Sequence, residues 1–174
     1  MPPHPAEDAD ISEESLDGWA GRLPLQVWTA RPDGQLDWGL RNDPRVVVIE
    51  RANARALEPA HLPSLVDIVT IDVSFISLRH ILPVVPSLLA RDGDVIALVK
   101  PQFEAGKGQV GRGGVVRDHA VRVRAVLRVI DCLDAVGLGA RGLIRSPIEG
   151  RDGNVEYLLW LRKGEQGLAL EVPA

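Results

Sequence analysis

The sequence predicts an α/β domain with a largely parallel sheet, because strand-like and helix-like segments alternate along most of the chain. Three apolar runs rich in β-branched residues give the clearest strand signal, at 46–50, 67–73 and 94–100. Aliphatic residues are abundant, whereas aromatic residues form only 4% of the chain, which is typical of a buried parallel sheet. The length of 174 residues is that of one domain.

The first part of the chain predicts a strand, a helical segment and a second strand. Residues 26–29 form a short strand pattern, and residues 35–42 could form one or two helical turns. Val46–Glu50 is a strong buried-strand pattern, bounded by Asp43 and Pro44.

The segment after the second strong strand predicts a bent helix. Ser77 is a suitable N-cap, and the helix would run to Leu89 with two prolines bending it. Asp92-Gly93 would end this helix. The strand 94–100 would follow, until Pro101 stops it.

The last third of the chain predicts a loop, a helix and a hairpin. Residues 104–116 form a glycine-rich loop, and Asp118 is a suitable N-cap for a helix that runs to about Val136 with a regularly spaced apolar face. Leu143-Ile144 and Val155–Leu161 predict two strands. Because the connection between them is short and rich in turn residues, we expect these strands to pair antiparallel.

Composition restricts the possible functions. The net charge of −4 means that any nucleic-acid contact must come from a local basic surface. Cys132 is the only cysteine, which excludes an intramolecular disulfide and a thiolate metal cluster, and its apolar neighbours predict a buried helix position. The four histidines show no metal-ligand spacing, so we expect no metal. With no apolar run long enough to span a membrane and no signal pattern, the expected location is the cytoplasm.

Both ends of the chain are expected to lie outside the domain, which would comprise residues 26–165. Residues 1–25 contain several prolines and six acidic residues, with no Lys or Arg among the first 20, so we expect a disordered acidic tail. A self-shielding acidic arm is the alternative. Residues 166–174 would form a C-terminal tail.

Three charged residues interrupt or end apolar strands: Asp72, Lys100 and Glu156. A charge in such a place costs free energy unless it is paired or open to water, so a structural ion pair and a functional site are both open interpretations. Because ligands bind at the carboxyl ends of parallel strands, Asp72 and Lys100 should lie close together at that edge. Convergence of all three residues would favour a functional site.

Eight stretches of the chain together form a recognisable pattern in a fixed order. They are Gly34–Trp38, Arg41–Val46, Asn53–Arg55, Ile71–Ser77, Leu98–Gly106, Gly106–Val110, Gly113–Val116 and Gly153–Arg162. In sequence and order, these stretches resemble the TlyA (hemolysin A) family of ribosomal RNA 2′-O-methyltransferases, which is related to the FtsJ type. The resemblance covers about residues 34–163.

The resemblance implies a Rossmann-like, S-adenosylmethionine-dependent methyltransferase fold with a mostly parallel sheet and an antiparallel C-terminal hairpin. It implies S-adenosylmethionine as cofactor and ribosomal RNA or a ribosomal subunit as partner. The family uses a Lys-Asp-Lys-Glu catalytic set, of which Asp72, Lys100 and Glu156 would be the last three members. Asp72 and Asn53 would contact the cofactor. A lysine suits this reaction because a ribose hydroxyl must lose its proton as it attacks, and a lysine can accept that proton or orient the oxygen.

The glycine-rich loop carries two candidate RNA contacts, Lys107 and Arg112. It could be a flexible lid that touches the RNA backbone, or a solvated surface loop. Arginines of the following helix add positive charge nearby, either for RNA or simply as a solvated helix face. We expect Tyr157 and Trp160 to be core residues and not base-stacking platforms.

The chain departs from the family pattern at its beginning. No stretch within residues 1–33 matches the family's first catalytic lysine, its cofactor-binding glycine loop or its S4-type RNA-binding domain. The same region normally supplies the first strand, which is central in the sheet, so we expect a gap there. This departure suggests a truncated or frame-shifted reading frame, with weak or absent activity of the chain alone. The alternative is a catalytically inactive remnant that binds RNA or a partner.

Overall fold

The computed structural model describes four ranges of the chain: 25–29, 38–50, 52–106 and 108–174. The predicted acidic tail, apart from Leu25, therefore lies outside the described residues. The chain divides into two compact units, residues 1–54 and residues 55–174.

The first unit contains two parallel strands and a helical turn. Strands β1 (Leu25–Thr29) and β2 (Val46–Glu50) pair along their whole length, and the short helix α1 (Trp38–Arg41) lies between them in sequence. All three predicted elements of this region are confirmed. At the start of β2, hydrogen bonds from Arg45 to the Asp43 carboxylate lower the pKa of Asp43 to about 2.

The second unit is built on a four-stranded mixed sheet. Its strands are β3 (Val66–Ile71), β4 (Leu89–Val99), β5 (Leu138–Arg145) and β6 (Tyr157–Lys163), in the spatial order β3-β4-β6-β5. β3 and β4 are parallel, whereas β6 runs antiparallel to β4 and β5. The predicted α/β fold with an antiparallel C-terminal hairpin is confirmed.

The described strands belong to two sheets, β1–β2 and β3–β4–β6–β5. Within the described ranges, no strand pairs with members of both sheets, and β3 is paired only with β4. The missing central strand that the resemblance implies stays a prediction. The truncated reading frame itself stays a prediction.

The core of the second unit lies where β4, β6 and the long helix α4 (His119–Ile130) meet. Alternate residues of β4, beginning with Val95, are fully buried. On the helix, the apolar stripe includes the buried residues Val126 and Val129. Tyr157 at the start of β6 is also fully buried, which confirms its predicted core position. Burial of these apolar side chains supplies the main stabilising free energy of the unit.

The helix after the glycine-rich loop begins where predicted but ends earlier. The Asp118 side chain caps α4 by accepting a hydrogen bond from the backbone N–H of Ala120 at 2.8 Å. The chain then turns, and a separate short helix, α5 (Leu133–Val136), ends at Gly137 in the left-handed conformation. Cys132 lies at this break and is half-buried, so its predicted buried helix position is wrong. Partial burial raises the pKa of its thiol.

The predicted bent helix from Ser77 to Leu89 is wrong. The chain forms two 3-10 turns, Leu78–His80 and Leu82–Val84, and then the four-residue helix α2 (Val85–Leu88). The two prolines explain this, because each lacks an N–H and suits only the first turn of a helical segment. β4 begins directly at Leu89, so Asp92-Gly93 lies inside a strand and does not end a helix.

The segment 166–174, predicted as a C-terminal tail, has no regular secondary structure. It nevertheless contacts the sheet, because the backbone N–H of Leu168 donates a hydrogen bond to the carbonyl of Ala140 at 2.8 Å. Among the helices of the described residues, none combines the length and apolar character that crossing a membrane requires.

A polar cluster on the exposed side of β4 and β6 gives Trp160 a role other than the predicted core position. The Asp94 carboxylate accepts hydrogen bonds from the indole N–H of Trp160 at 2.8 Å and from Arg162 Nε at 3.0 Å. The Arg162 guanidinium lies 5.7 Å from the Trp160 ring centroid. The Trp160 ring is exposed, so its predicted burial is wrong. The hydrogen bond from Arg162 lowers the pKa of Asp94.

We predict that Asp94→Asn lowers the free energy of unfolding by about 1 kcal/mol near neutral pH, because a partly exposed charge-assisted cluster is lost. The pKa of Asp94 is lowered in the folded state, so its contribution is fully present above the unfolded carboxyl pKa of about 3.9. It is lost as the pH falls through the folded pKa. Denaturant unfolding of wild type and variant across this range measures the difference. Asp92→Asn, on the same strand, is the control, and a pH-independent difference for Asp94→Asn would contradict the prediction.

Candidate functional site

The carboxyl ends of β3 and β4 bring two of the predicted site residues into direct contact. The parallel register pairs Ile71 with Ala97, so both chains leave the sheet at the same edge. There Lys100 Nζ lies 2.6 Å from Asp72 Oδ1. The side chain of Lys100 is 13% exposed and that of Asp72 is 69% exposed. The predicted proximity of the two residues is confirmed, and the pair is open to solvent on the aspartate side.

Ser74 is a third member of this group. Lys100 Nζ donates a second, longer hydrogen bond to Ser74 Oγ at 3.4 Å. An ammonium group has three N–H donors and no acceptor. Within the described part of the chain, Asp72 and Ser74 therefore leave one donor of Lys100 for another oxygen. Sequence analysis did not single out Ser74, although it stands two residues after Asp72 in one of the matching stretches.

Glu156 lies at the same edge but does not join the ion pair. Antiparallel pairing places Tyr157 opposite Val99, so Glu156 and Lys100 both lie just beyond that pair. The Glu156 side chain is buried, with the residue 6% exposed, and Gln102 Nε2 donates a hydrogen bond to Glu156 Oε1 at 2.9 Å. β6 begins at Tyr157, so Glu156 precedes the strand in which it was predicted. All three charged residues thus lie at one edge of the sheet, where Glu156 is held by its hydrogen bond from Gln102 and not by the ion pair.

The turn before β6 encloses the Glu156 carboxylate. The backbone N–H of Gly150 donates to the carbonyl of Asn154 at 2.8 Å, which closes this turn. A methyl group on Gly150 would overlap the Glu156 carboxylate, so a larger residue at this position would require the carboxylate to move. Asn154 is buried and binds the glycine-rich loop: its Oδ1 accepts from Val116 N and its Nδ2 donates to Gly114 O, both at 3.1 Å. The loop is therefore anchored next to Glu156.

An exposed aromatic pair borders the ion pair. Phe75 follows Ser74, is 79% exposed and has a left-handed backbone with φ of 62°. This conformation is uncommon for a residue with a bulky side chain. Its ring centroid lies 5.1 Å from that of Phe103, and Ser77 and His80 line a shallow open pocket with the two rings. Sequence analysis did not identify this surface, because neither exposure nor a left-handed φ follows from the residue type.

The structure places only part of the predicted RNA-binding surface. Arg112 is exposed in a 3-10 turn of the glycine-rich loop, whereas Lys107 lies outside the described residues. Arg122 of α4 donates to the carbonyl of Arg117 at 2.8 Å, and Arg128 donates to that of Glu104 at 3.4 Å. These two helix arginines therefore anchor loops and are not simply a solvated face.

The remaining candidate is the predicted cofactor contact Asn53. Asn53 is exposed in the first unit, and its contact with a cofactor stays a prediction. In the part of the chain that the structure describes, His, Cys, Asp and Glu side chains do not gather in groups of three or more that could hold a metal ion.

Comparison with known proteins identifies a family that this chain matches. Residues 31–163 match the FtsJ-like methyltransferase family. The chain is 55% identical over 129 residues to the 16S/23S rRNA (cytidine-2′-O)-methyltransferase TlyA of Mycobacterium tuberculosis, covering 74% of this chain and 48% of that protein. It is 50% identical over 140 residues to the putative rRNA methyltransferase YqxC of Bacillus subtilis, covering 78% and 50%. The chain thus spans about half the length of these curated relatives.

The solved structures include a similar protein of comparable fold. A putative hemolysin from Lactococcus lactis superposes with a TM-score of 0.80 at 40% identity, covering 86% of this chain and 73% of that one.

We predict that Gly150→Ala destabilises the protein by about 1–3 kcal/mol, because the added methyl group displaces the buried Glu156 carboxylate. Denaturant unfolding measures the change. Gly106→Ala is the matched control, since its backbone is not left-handed and its nearest contact would be an ordinary 3.5 Å to the Gln109 side chain. Equal stability of the Gly150 and Gly106 variants would show that Glu156 is not confined by this turn.

Proposed function

We propose that this chain, which belongs to the FtsJ-like methyltransferase family, transfers a methyl group from S-adenosylmethionine to a ribose 2′-hydroxyl of ribosomal RNA. The observation that carries the proposal is the ion pair between Lys100 and Asp72 at the carboxyl ends of β3 and β4. Ribosomal RNA or a ribosomal subunit would be the partner, and the cytoplasm would be the location.

The charge of this edge fits a sulfonium cofactor. The cofactor supplies an electrophilic methyl group on a positively charged sulfur, and the exposed Asp72 carboxylate offers the complementary charge. Asn53 is the second residue that we assign to cofactor binding. The sequence has no match to the family's glycine loop within residues 1–33. We therefore expect this chain alone to bind the cofactor weakly and to react slowly.

Lys100 is the residue that we assign to the substrate oxygen. Its Nζ is held by Asp72 and Ser74, and the remaining N–H donor can orient a ribose hydroxyl for attack on the methyl carbon. In the reaction the ribose oxygen would take the methyl group that the cofactor supplies, the cofactor sulfur would keep the electron pair of its bond to that methyl group, and the hydroxyl proton would pass to water. The buried Glu156 adds a fixed negative charge at the same edge, and the hydrogen bond from Gln102 holds its carboxylate in place.

The aromatic pair next to the ion pair suits the base of the target nucleotide. Bases that leave a helix or a loop stack on exposed aromatic rings, and such stacking is worth about 1–3 kcal/mol per base. Phe75 is highly exposed and lies three residues after Asp72, while Phe103 supports it from the segment after Lys100. We therefore place the base on Phe75, with Lys107 and Arg112 contacting phosphates.

The proposal predicts slow ribose methylation that depends on Lys100. Under single-turnover conditions, with the chain in excess over ribosomal RNA, labelled S-adenosylmethionine should give 2′-O-methylated nucleotides. Lys100→Ala should lower the rate by about 100-fold or more. Lys163→Ala is the control, because Lys163 contacts Leu89 at the opposite end of β4. RNA binding without any methyl transfer would overturn the proposal and favour an inactive RNA-binding remnant.

The phosphate contacts predict a salt-dependent effect. Lys107→Ala combined with Arg112→Ala should weaken RNA binding and reduce the slope of log K against log salt by roughly 1.5 to 2, because two phosphate contacts are lost. Arg91→Ala with Lys163→Ala removes the same charge from the opposite end of the sheet and should leave the slope nearly unchanged. Filter binding across a salt series measures both. An unchanged slope in the loop variant would exclude the loop from the RNA interface.

A further inference from the structure

A buried carboxylate four residues after Lys100 has no role in the chemistry proposed above. Glu104 is the last residue of the short helix α3 (Pro101–Glu104) and is only 3% exposed. Its two carboxylate oxygens accept hydrogen bonds from Ser77 Oγ at 2.5 Å and from the backbone N–H of Leu78 at 2.7 Å. Burying a carboxylate costs several kcal/mol unless such bonds compensate it, so the arrangement is specific.

These bonds join the same two segments as the ion pair between Asp72 and Lys100. The loop 72–78 leaves β3, and the segment 100–104 leaves β4. At their beginnings, the two segments are joined by the ion pair between Asp72 and Lys100. At their ends, they are joined by the hydrogen bonds that Glu104 accepts from Ser77 and Leu78. Ser74 and the exposed Phe75 lie between the two connections.

We propose that Glu104 is a positioning residue, which fixes the loop 72–78 so that Asp72 and Ser74 stay on the Lys100 ammonium group. An effect of Glu104 on the rate of methyl transfer rests on the proposed function, whereas its effect on the ion pair between Asp72 and Lys100 does not. Ser77 already caps the 3-10 turn Leu78–His80 by accepting from the backbone N–H of Arg79. The carboxylate of Glu104 therefore adds a connection between distant segments, beyond the local cap.

The loop needs such a connection because part of it is strained and exposed. Phe75 has a left-handed backbone, which is energetically unfavourable for a residue with a side chain. Asp72 is also largely open to water, where an ion pair by itself is weak. Without Glu104, the described polar and aromatic contacts that remain between the loop 72–78 and the segment 100–104 are the ion pair, the long Ser74 bond and the pairing of Phe75 with Phe103.

The test observes the Lys100 ammonium group directly. The full chain contains three lysines, Lys100, Lys107 and Lys163, so labelling with ¹⁵Nζ-lysine gives few NMR signals and leaves the ammonium groups unmodified. The signal missing from Lys100→Arg identifies Lys100. In Glu104→Gln, the Lys100 signal should move toward the position that it takes in Asp72→Asn, while the Lys163 signal stays in place. Glu149→Gln, which alters an exposed carboxylate paired with Arg145, is the matched control and should move neither signal.

A folded Glu104→Gln variant with an unchanged Lys100 signal would overturn the proposal. Should that variant not fold, Ser77→Ala decides in its place, because it removes the hydroxyl bond to Glu104 and keeps the bond from Leu78. It also removes the bonds that Ser77 accepts from Arg79, but these lie within the local turn and do not join the two segments. If wild type transfers methyl groups, Glu104→Gln should lower kcat by about 10- to 100-fold with little change in KM for RNA. A Lys100 signal that moves in a chain without any methyl transfer supports the positioning role and rejects the proposed function.

Discussion

The parallel pairing of β3 with β4 is the constraint on which the site depends. Parallel strands end at the same edge, so Asp72 and Lys100 meet although 28 positions separate them in sequence. Reversal of the chain through β6 then returns Glu156 to that edge from the opposite direction. The sheet therefore brings three charges together that local sequence does not connect, and the loops that follow the strands determine how each charge is held.

The short helix α3 connects the parts of the site. It begins directly after Lys100, and three of its four residues contact other parts of the site: Gln102 binds Glu156, Phe103 contacts Phe75, and Glu104 binds Ser77 and Leu78. Two of these contacts hold buried carboxylates, which are costly to leave unpaired. A shift of this helix would consequently disturb the position of Glu156, the aromatic surface and the loop of Asp72 at the same time.

Much of the fold could be predicted from the sequence, because β-branched runs and a side-chain cap are local signals. The strands at 46–50, 67–73 and 94–100 and the cap at Asp118 are examples. The predicted bent helix was wrong, because the cap at Ser77 suggested the start of one long element, whereas the two prolines divide the chain into separate turns. The predicted burial of Trp160 was wrong for a different reason. Its partner Asp94 lies on the neighbouring strand β4, and its partner Arg162 lies two residues later on the same strand.

The site was predictable only in part. A charge at the end of an apolar strand is visible in sequence, so Asp72 and Lys100 could be found. Residues that act through long-range hydrogen bonds could not, since Glu104 is 27 positions from Ser77 and Gln102 is 54 from Glu156. The resemblance of the matching stretches suggested the chemistry of these residues but not how they are held.

The central claim is that Asp72 and Lys100 act as one unit in methyl transfer. The most direct measurement is a double-mutant cycle with Asp72→Asn and Lys100→Met, in which single-turnover rates of the four proteins are compared. If the pair acts as a unit, the double variant should be about as slow as Lys100→Met alone, because removal of the lysine already removes the function of the aspartate. Losses that simply multiply would show that the two residues act independently, which would contradict this account.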